Sequence, residues 1–207
     1  MKTSGLVIAL GQGEEGLVEL NQIEGFPIFL HVIRNLGEVA EEIAMAVTKG
    51  SKDAFTRVFS EYGFDECNFF ELNHPDDVLS ILREGLSRVN GEIVITAPAN
   101  APLIPLDILS LLTELCEKRD AVLIRDFKGG VDWFLSAYNR RSFMKAVEAE
   151  SVRTVEEAVN ELRRVMYISH STLKDLDPML FSSIRVIRAS EIPVIEKLIK
   201  GVRRRIK

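Results

Sequence analysis

The chain has few cysteines and no long apolar run, and each scarcity removes a class of protein. Two cysteines in 207 residues, Cys67 and Cys116, have neither the spacing of a metal site nor the density of a disulfide scaffold. No apolar stretch approaches the ~20 residues that a membrane-spanning helix needs. We therefore expect a cytoplasmic protein in a reducing compartment, without a membrane partner.

The chain also lacks an excess of positive charge. Its 26 Lys and Arg residues are outnumbered by 31 Asp and Glu residues, which gives a net charge of −5. This balance provides no broad electrostatic attraction to nucleic acid or to an anionic membrane. Nucleic acid is therefore not an expected partner.

Hydrophobic residues, in contrast, make up 46% of the chain, and short apolar runs alternate with segments of helical period. This alternation predicts a single α/β domain over residues 1–207, with a Rossmann-like, three-layer α/β/α architecture around a mostly parallel sheet. Strands are predicted at 6–10, 43–47, 68–72, 92–96, 121–125, 131–138, 165–169 and 184–187. Helices are predicted at 27–36, 53–62, 75–89, 105–117, 140–148 and 154–164, with a last helix capped by Ser190.

Ligands of such sheets bind beyond the carboxyl ends of the strands. Four loops follow predicted strands in this way: 11–16, 73–76, 97–102 and 126–132. We expect the ligand site among them.

The first loop, in the sequence "LGQGEEG", combines features that oppose one another. Its glycines could aim several backbone N–H groups at a phosphate. The loop has no Lys or Arg, however, and Glu14 and Glu15 would repel a polyanion, at about 4 kcal/mol for one pair at about 4 Å and an effective dielectric of about 20. It is either a nucleotide loop that needs a bridging cation or a flexible connection.

Two later loops carry polar side chains at the same predicted edge. Asn100, in "VITAPANAPLIP", could offer Mg²⁺ an amide oxygen beside a phosphate, or could hydrogen-bond only the backbone of its turn. Lys128 and Asp132 flank the Gly-Gly turn of "DFKGGVDWFLSAY", where Trp133 and Phe134 are either pocket wall or core.

The order of these pieces resembles the MobA-like nucleotidyltransferases, the family of the molybdenum cofactor guanylyltransferase. That family opens with L-A-G-G-x-S-x-R-M-G-x-x-K and then G-x-P-L, and the counterparts here are "IALG" at 8–11, a shortened 12–16, and "GFPI" at 25–28. Its D-x-P corresponds to "NAP" at 100–102, and its P-L-x-A-L-Y to "FLSAY" at 134–138. The similarity extends over about residues 6–199.

The resemblance implies a nucleotide-diphospho-sugar transferase-like fold and a specific reaction. A Mg²⁺-dependent enzyme of molybdenum cofactor biosynthesis would transfer GMP from GTP to the phosphate of molybdopterin and release pyrophosphate. Position by position, the resemblance implies a nucleotide site at Ala9, Leu10, Gly11, Gln12, Gly13 and Asn100. Asn100 also corresponds to the metal-binding position, and no catalytic residue is assigned.

The departures from the family pattern fall on the positions that carry its chemistry. The signature loop is about two residues short, its Arg and Lys have no counterparts, and a neutral Asn100 replaces the metal-binding Asp. An amide should hold Mg²⁺ less well than a carboxylate does. These departures leave more than one hypothesis open.

In the first hypothesis the chain is a divergent transferase that has recruited other side chains. Glu14, Glu15 or Asp132 would then hold the metal, and Lys128, Arg185 or Arg188 would supply the missing positive charge.

In the second hypothesis the fold binds a nucleotide or cofactor without transferring a group, or acts as an assembly protein. Its partners would then be a second copy of the chain or proteins of molybdoenzyme maturation. A third hypothesis keeps the transferase but changes the phosphate acceptor, for example to cobinamide phosphate or a sugar phosphate.

Overall fold

The chain alternates strands and helices in the computed structural model, which describes residues 1–11, 16–126 and 128–205, with side chains described as far as residue 200. The strands are β1 (Thr3–Ala9), β2 (Gln22–Ile23), β3 (Phe26–Pro27), β4 (Glu42–Val47), β5 (Asn68–Glu71), β6 (Ile93–Pro98), β7 (Ala121–Arg125), β8 (Val131–Asn139) and β9 (Val165–Ser169). The helices are α1 (Ile28–Gly37), α2 (Lys52–Glu61), α3 (Val78–Ser87), α4 (Leu106–Cys116), α5 (Arg140–Val147), α6 (Val155–Asn160), α7 (His170–Leu173) and α8 (Ile192–Arg205). Short 3₁₀ turns occupy Val18–Leu20, Phe181–Ser183 and Ala189–Glu191.

Seven of the strands form one sheet in the order β5-β4-β1-β6-β8-β7-β9. The first strand lies inside the sheet and pairs in parallel with β4 on one side and β6 on the other. Strand β8 alone in this sheet is antiparallel to its neighbours β6 and β7. The mostly parallel sheet predicted from the sequence is confirmed.

Strand β1 has hydrophobic residues on both faces because helices cover the sheet on both sides. Val7 and Ala9 belong to the cluster under α1, α2 and α4, whereas Leu6 and Ile8 belong to the cluster under α3, α5 and α6. All four side chains are at most 2% exposed. A strand buried on both faces reads as a continuous apolar run, which is what "LVIA" shows. The predicted three-layer α/β/α architecture is confirmed.

A carboxylate joins β1, β4 and the turn before β6 at the amino ends of these strands. Glu42 accepts hydrogen bonds from the Ser4 hydroxyl at 2.5 Å, from the backbone N–H of Asn90, from the backbone N–H of Gly91 at 3.1 Å and from the Asn90 side chain at 3.1 Å. Desolvation alone would raise the pKa of Glu42, but these hydrogen bonds together lower it to about 2. A Cβ at Gly91 would lie only 2.6 Å from the Ser4 nitrogen.

The predicted strand at 184–187 is wrong. Val186 pairs with Asn100 in the loop beyond β6, through its N–H to the Asn100 carbonyl at 2.8 Å, and does not extend the sheet. The apolar pattern that suggested a strand instead reflects packing, because Val186 is fully buried against Ile195 of α8 and the β2–β3 hairpin.

Two predicted helix boundaries also need correction. The helix that begins after Thr154 ends at Asn160, not near residue 164, because Asp120 accepts the backbone N–H groups of Arg163 and Arg164 at 3.2 and 2.9 Å and turns the chain into β9. The last helix begins at Ile192, and Ser190 lies within the 3₁₀ turn before it instead of capping it.

The helices of the described residues include none that combines the length and apolar character needed to cross a bilayer.

Candidate functional site

A cleft opens where β1 and β6 end side by side at the carboxyl edge of the sheet. The segments that follow the two strands leave the sheet side by side, and the N–H of Ala99 donates to the Ile8 carbonyl at 2.8 Å. The cleft has a volume of about 230 Å³ and is lined by Ile8, Leu10, Glu19, Pro98, Asn100, Asp132, Phe134, Arg185 and Ile187. We call it the β1–β6 cleft. Its position is the one where open α/β sheets bind ligands.

A wider groove of about 770 Å³ lies at the opposite edge of the sheet, around Asp120. Both oxygens of Asp120 are used by the chain itself, one by the Ser142 hydroxyl at 2.9 Å and the other by the N–H groups that start β9. These contacts fix the chain path and give the groove a structural explanation.

The glycine loop that follows β1 borders the cleft. Ala9 is buried at the end of β1, Leu10 lines the cleft, and Gly11 adopts a positive φ of 59° that a side chain would strain. Four residues assigned to the site from the sequence, Gln12, Gly13, Glu14 and Glu15, lie outside the described residues.

Glu19 reaches the cleft from the 3₁₀ turn at 18–20, and its side chain is almost completely buried at 2% exposure. Its Oε1 accepts the backbone N–H of Gly11 at 3.2 Å. Its Oε2 is buried and has no hydrogen-bond partner in the described part of the chain. Burial raises the pKa of Glu19, and the backbone N–H groups of Glu19 and Gly11 only partly offset this effect.

Glu19 was not among the candidate residues predicted from the sequence. The available signal was a single carboxylate inside the short apolar run "LVEL", where burial of both neighbours would draw it inward. A lone Glu in such a run is a weak pattern, since a turn can also expose it to solvent.

Asn100 lies in the cleft wall, and its side-chain amide is already engaged. Nδ2 donates to the Val186 carbonyl at 3.1 Å, and the Asn100 carbonyl accepts the N–H of Val186. This two-way pairing holds segment 184–187 across the mouth of the cleft. One N–H of Nδ2 is committed to Val186, and Oδ1 is the amide atom whose lone pairs could hold a cation.

Arg185 and Asp132 form an ion pair in the same wall. Arg185 Nη2 donates to Asp132 Oδ2, and Nη1 donates to the carbonyls of Ser182 and Ile184 at 2.6 and 3.2 Å. Asp132 Oδ1 accepts the backbone N–H of Leu135 at 3.0 Å. Both side chains are partly buried, 20% and 25% exposed, so the pair is screened less than a surface salt bridge.

The same ion pair separates the β1–β6 cleft from a second cavity of about 400 Å³. That cavity is lined by Asp126, Val131, Asp132, Trp133, Phe134, His170, Ser183 and Arg185. Burial lowers the pKa of His170, while the neighbouring Asp132 acts in the opposite direction. Trp133 and Phe134 line this pocket and also pack against the core cluster under α3, α5 and α6, so both interpretations left open by the sequence apply.

The other side chains considered as sources of positive charge lie elsewhere. Lys128 is exposed in the β7–β8 turn, where its backbone N–H donates to Asp126 at 2.7 Å, and Arg188 is exposed before the turn that precedes α8. Arg185 is the cation among the described residues that line the cleft. Among the described residues, no group of three or more His, Cys, Asp or Glu side chains is arranged to hold a metal ion.

Comparison of the structure with solved structures defines the class of fold. The structure of 4-diphosphocytidyl-2C-methyl-D-erythritol synthase from Anaerococcus prevotii aligns with a TM-score of 0.69 at 13% identity, covering 96% of each chain. That of CMP:2-keto-3-deoxy-manno-octonic acid synthetase complexed with CTP also gives 0.69, at 11% identity, over 97% of this chain and 99% of that one. The predicted nucleotide-diphospho-sugar transferase-like fold is confirmed.

A third similar structure connects the fold with the resemblance seen in the sequence. Molybdopterin-guanine dinucleotide biosynthesis protein A from Archaeoglobus fulgidus aligns with a TM-score of 0.70 at 14% identity, over 97% of this chain and 100% of that one. The resemblance to MobA-like proteins is therefore confirmed as a likeness of fold. No family model and no curated protein sequence matches the chain.

Proposed function

We propose that this chain is a cytoplasmic, Mg²⁺-dependent nucleotidyltransferase that binds a nucleoside triphosphate in the β1–β6 cleft. The observation that carries the proposal is the convergence of the Gly11 loop and Asn100 at the carboxyl ends of two adjacent parallel strands. The similar structures, one of them a synthetase complexed with CTP, align with this chain over nearly their whole length.

For the specific reaction we propose guanylyl transfer from GTP to molybdopterin, after the protein from Archaeoglobus fulgidus. An acceptor phosphate would attack the α-phosphorus in line, and pyrophosphate would leave. Mg²⁺, when bound, would neutralise charge on the phosphoryl oxygens. Asn100 would offer the ion an amide oxygen, since Oδ1 is the atom that Val186 leaves available.

Arg185 is the side chain best placed to contact a phosphate. A guanidinium has five N–H donors, and the contacts with Asp132 and the two carbonyls leave some of them for a ligand. The Asp132 contact also fixes the orientation of the guanidinium before a ligand arrives, which lowers the entropic cost of binding.

The first experiment measures binding of GTP, CTP and ATP by calorimetry, with Mg²⁺ and with EDTA. We expect GTP to bind most tightly and Arg185→Gln to weaken binding about 10-fold or more, the loss typical of a charge-assisted hydrogen bond. Arg188→Gln is the matched control, because it removes the same charge three residues away at an exposed position. Equal losses in both variants, or no nucleotide binding by the wild type, would contradict the proposed site.

The second experiment measures pyrophosphate release from GTP in the presence of molybdopterin. Release that depends on both substrates supports guanylyl transfer. Release with CTP and a sugar phosphate instead would retain the transferase but change its acceptor.

A second candidate is a protein that binds nucleotide without transferring it. One observation favours it: Asn100 Nδ2 and the Arg185 guanidinium, at two chemically important positions, are both engaged by the chain itself. Tight GTP binding, without pyrophosphate release from GTP in the presence of any acceptor tested, would select this candidate.

A further inference from the structure

The β1–β6 cleft contains a buried carboxyl group whose charge is not balanced by the described protein. Glu19 is 2% exposed, and only its Oε1 has a hydrogen-bond donor, the N–H of Gly11. Its Oε2 is buried and has no partner among the described residues, and Glu19 is one of the residues that line the cleft. A carboxylate taken from water into such a place is unfavourable unless a cation or a proton compensates it.

The guanidinium in the same cleft does not provide that compensation. Arg185 donates to Asp132 and to the carbonyls of Ser182 and Ile184, so its charge is paired within its own wall. A carboxylate in a cleft wall that no cation of the described residues neutralises is the local arrangement expected of a site that receives its cation from solution.

We propose that Glu19 is a ligand of a divalent cation in the β1–β6 cleft, through Oε2, with Asn100 Oδ1 as the second protein oxygen. The identity of the cation as the Mg²⁺ that accompanies the nucleotide rests on the proposed function. Cation binding itself does not depend on it.

The chemistry of the donor set fits Mg²⁺ or Mn²⁺. These ions prefer oxygen ligands, and Mg²⁺ commonly keeps several waters while one or two carboxylates and substrate phosphates complete its shell. One carboxylate and one amide oxygen are therefore a sufficient protein contribution. The proposal also accounts for the neutral side chain at position 100, because the negative charge of the site is carried by position 19.

Gly11 gives Glu19 a defined orientation. The N–H of Gly11 holds Oε1, which fixes the carboxyl plane and directs the other oxygen away from that contact. The glycine loop and the cation ligand are thereby connected, and a hydrogen bond of this kind to a ligating carboxylate is a common supporting contact in metal sites.

The test is titration of the nucleotide-free, full-length protein with Mn²⁺, followed by loss of the electron paramagnetic resonance signal of the hydrated ion. The variants are Glu19→Gln, which keeps the size and an oxygen for Gly11, and the control Glu117→Gln, which removes a charge from an exposed position just after α4. We expect at least a 10-fold weaker Mn²⁺ affinity for Glu19→Gln and no change for Glu117→Gln.

Three outcomes would overturn the proposal. One is a folded Glu19→Gln variant, with wild-type circular dichroism, that binds Mn²⁺ as the wild type does. Another is an absence of Mn²⁺ binding by the wild type at millimolar concentration. The third is tighter GTP binding by Glu19→Gln in EDTA with unchanged Mn²⁺ affinity, since the carboxylate would then merely occupy the position of a phosphate at Gly11. If Glu19→Gln does not fold, Glu19→Asp replaces it: a shorter carboxylate should weaken Mn²⁺ binding, and wild-type affinity would refute the assignment.

The outcomes for the cation site and for the proposed function are separable. Mn²⁺ binding that needs Glu19, without any nucleotide binding, would retain the cation site and reject the transferase. Guanylyl transfer that is unaffected by Glu19→Gln would retain the transferase and reject the cation site.

Discussion

The substitution Asn100→Asp tests the structure most directly, because it restores the residue type of the resembling family at a position where this chain uses the amide. The Asn100 side chain donates from Nδ2 to the Val186 carbonyl at 3.1 Å. An ionised Asp has no donor, so its second oxygen would face that carbonyl oxygen at close range. The two-way pairing that holds segment 184–187 would lose one of its two hydrogen bonds.

The expected cost is about 2 kcal/mol in the absence of metal. Loss of a neutral hydrogen bond accounts for about 1 kcal/mol, and leaving the carbonyl of the buried Val186 without its donor adds about 1 kcal/mol. For a chain of this length a loss of about 1 kcal/mol lowers Tm by roughly 2–4 °C, so we expect a decrease of about 4–8 °C in EDTA.

The assay is thermal unfolding followed by circular dichroism at pH 7.5, in EDTA and in Mg²⁺. Asn35→Asp is a matched control, because Asn35 also donates from Nδ2 to a backbone carbonyl, that of Ile104, at 2.9 Å. Both variants should lose stability in EDTA. Mg²⁺ should restore the thermal stability of Asn100→Asp but not that of Asn35→Asp. A cation that binds only to the folded state stabilises that state.

Two results would refute this reasoning. Wild-type stability of Asn100→Asp in EDTA would mean that the contact with Val186 does not hold segment 184–187. Equal recovery of both Asp variants in Mg²⁺ would mean that the ion acts on exposed charge in general and not at the β1–β6 cleft.

Three further substitutions test the fold away from the site. Glu42→Gln should lower the free energy of unfolding in urea by about 1–2 kcal/mol at pH 7, a value reduced for solvent screening. The folded pKa of Glu42, about 2, lies below the unfolded value of about 4.3. The stability difference from wild type should therefore be full above about pH 4.5 and vanish as the pH falls toward about 2. A difference that grows on acidification would contradict this. Gly91→Ala should cost about 2–3 kcal/mol, since its Cβ would meet the Ser4 backbone nitrogen at 2.6 Å, and a neutral effect would show that the turn has room. Thr154→Ala should cost about 1 kcal/mol by removing the 3.2 Å cap on the Glu157 N–H, whereas Thr154→Ser should cost little.

The seven strands of the main sheet could be located from the sequence because their patterns are local. Each core strand is an apolar run bounded by turn residues, and the Thr154 capping box marks a helix start that the structure confirms. Segment 184–187 shows the limit of this reasoning. Its apolar residues are buried, as a strand would be, but their pairing partner is the loop at Asn100, 86 residues away in the sequence. Periodicity reports burial and does not report what a segment pairs with.

The site was less predictable because its contacts join residues that are distant in the sequence. The Asp132–Arg185 pair joins residues 53 positions apart, and neither residue has a local pattern that selects the other. Glu19 was missed because its importance comes from burial next to Gly11, which depends on the path of the chain between β1 and α1. Strand ends can be located from the sequence, so the loops that supply Asn100 and Asp132 to the cleft could be selected as candidates, whereas loop 73–76 contributes no lining residue. The charges within these loops could not be paired from the sequence.

The charges of the described residues that line the cleft do not cancel. Arg185 is neutralised by Asp132, and Asn100 contributes no charge, so Glu19 leaves the described lining of the cleft with one negative charge that no described residue pairs. A bare triphosphate would meet this charge unfavourably. A divalent cation reverses the relation, because it is attracted by the carboxylate and in turn attracts the phosphates. The order of binding should therefore be cation before, or together with, nucleotide, and GTP affinity should rise with Mg²⁺ concentration until the cation site is full. GTP that binds equally tightly in EDTA would place the phosphates away from Glu19 and remove the electrostatic basis of this argument.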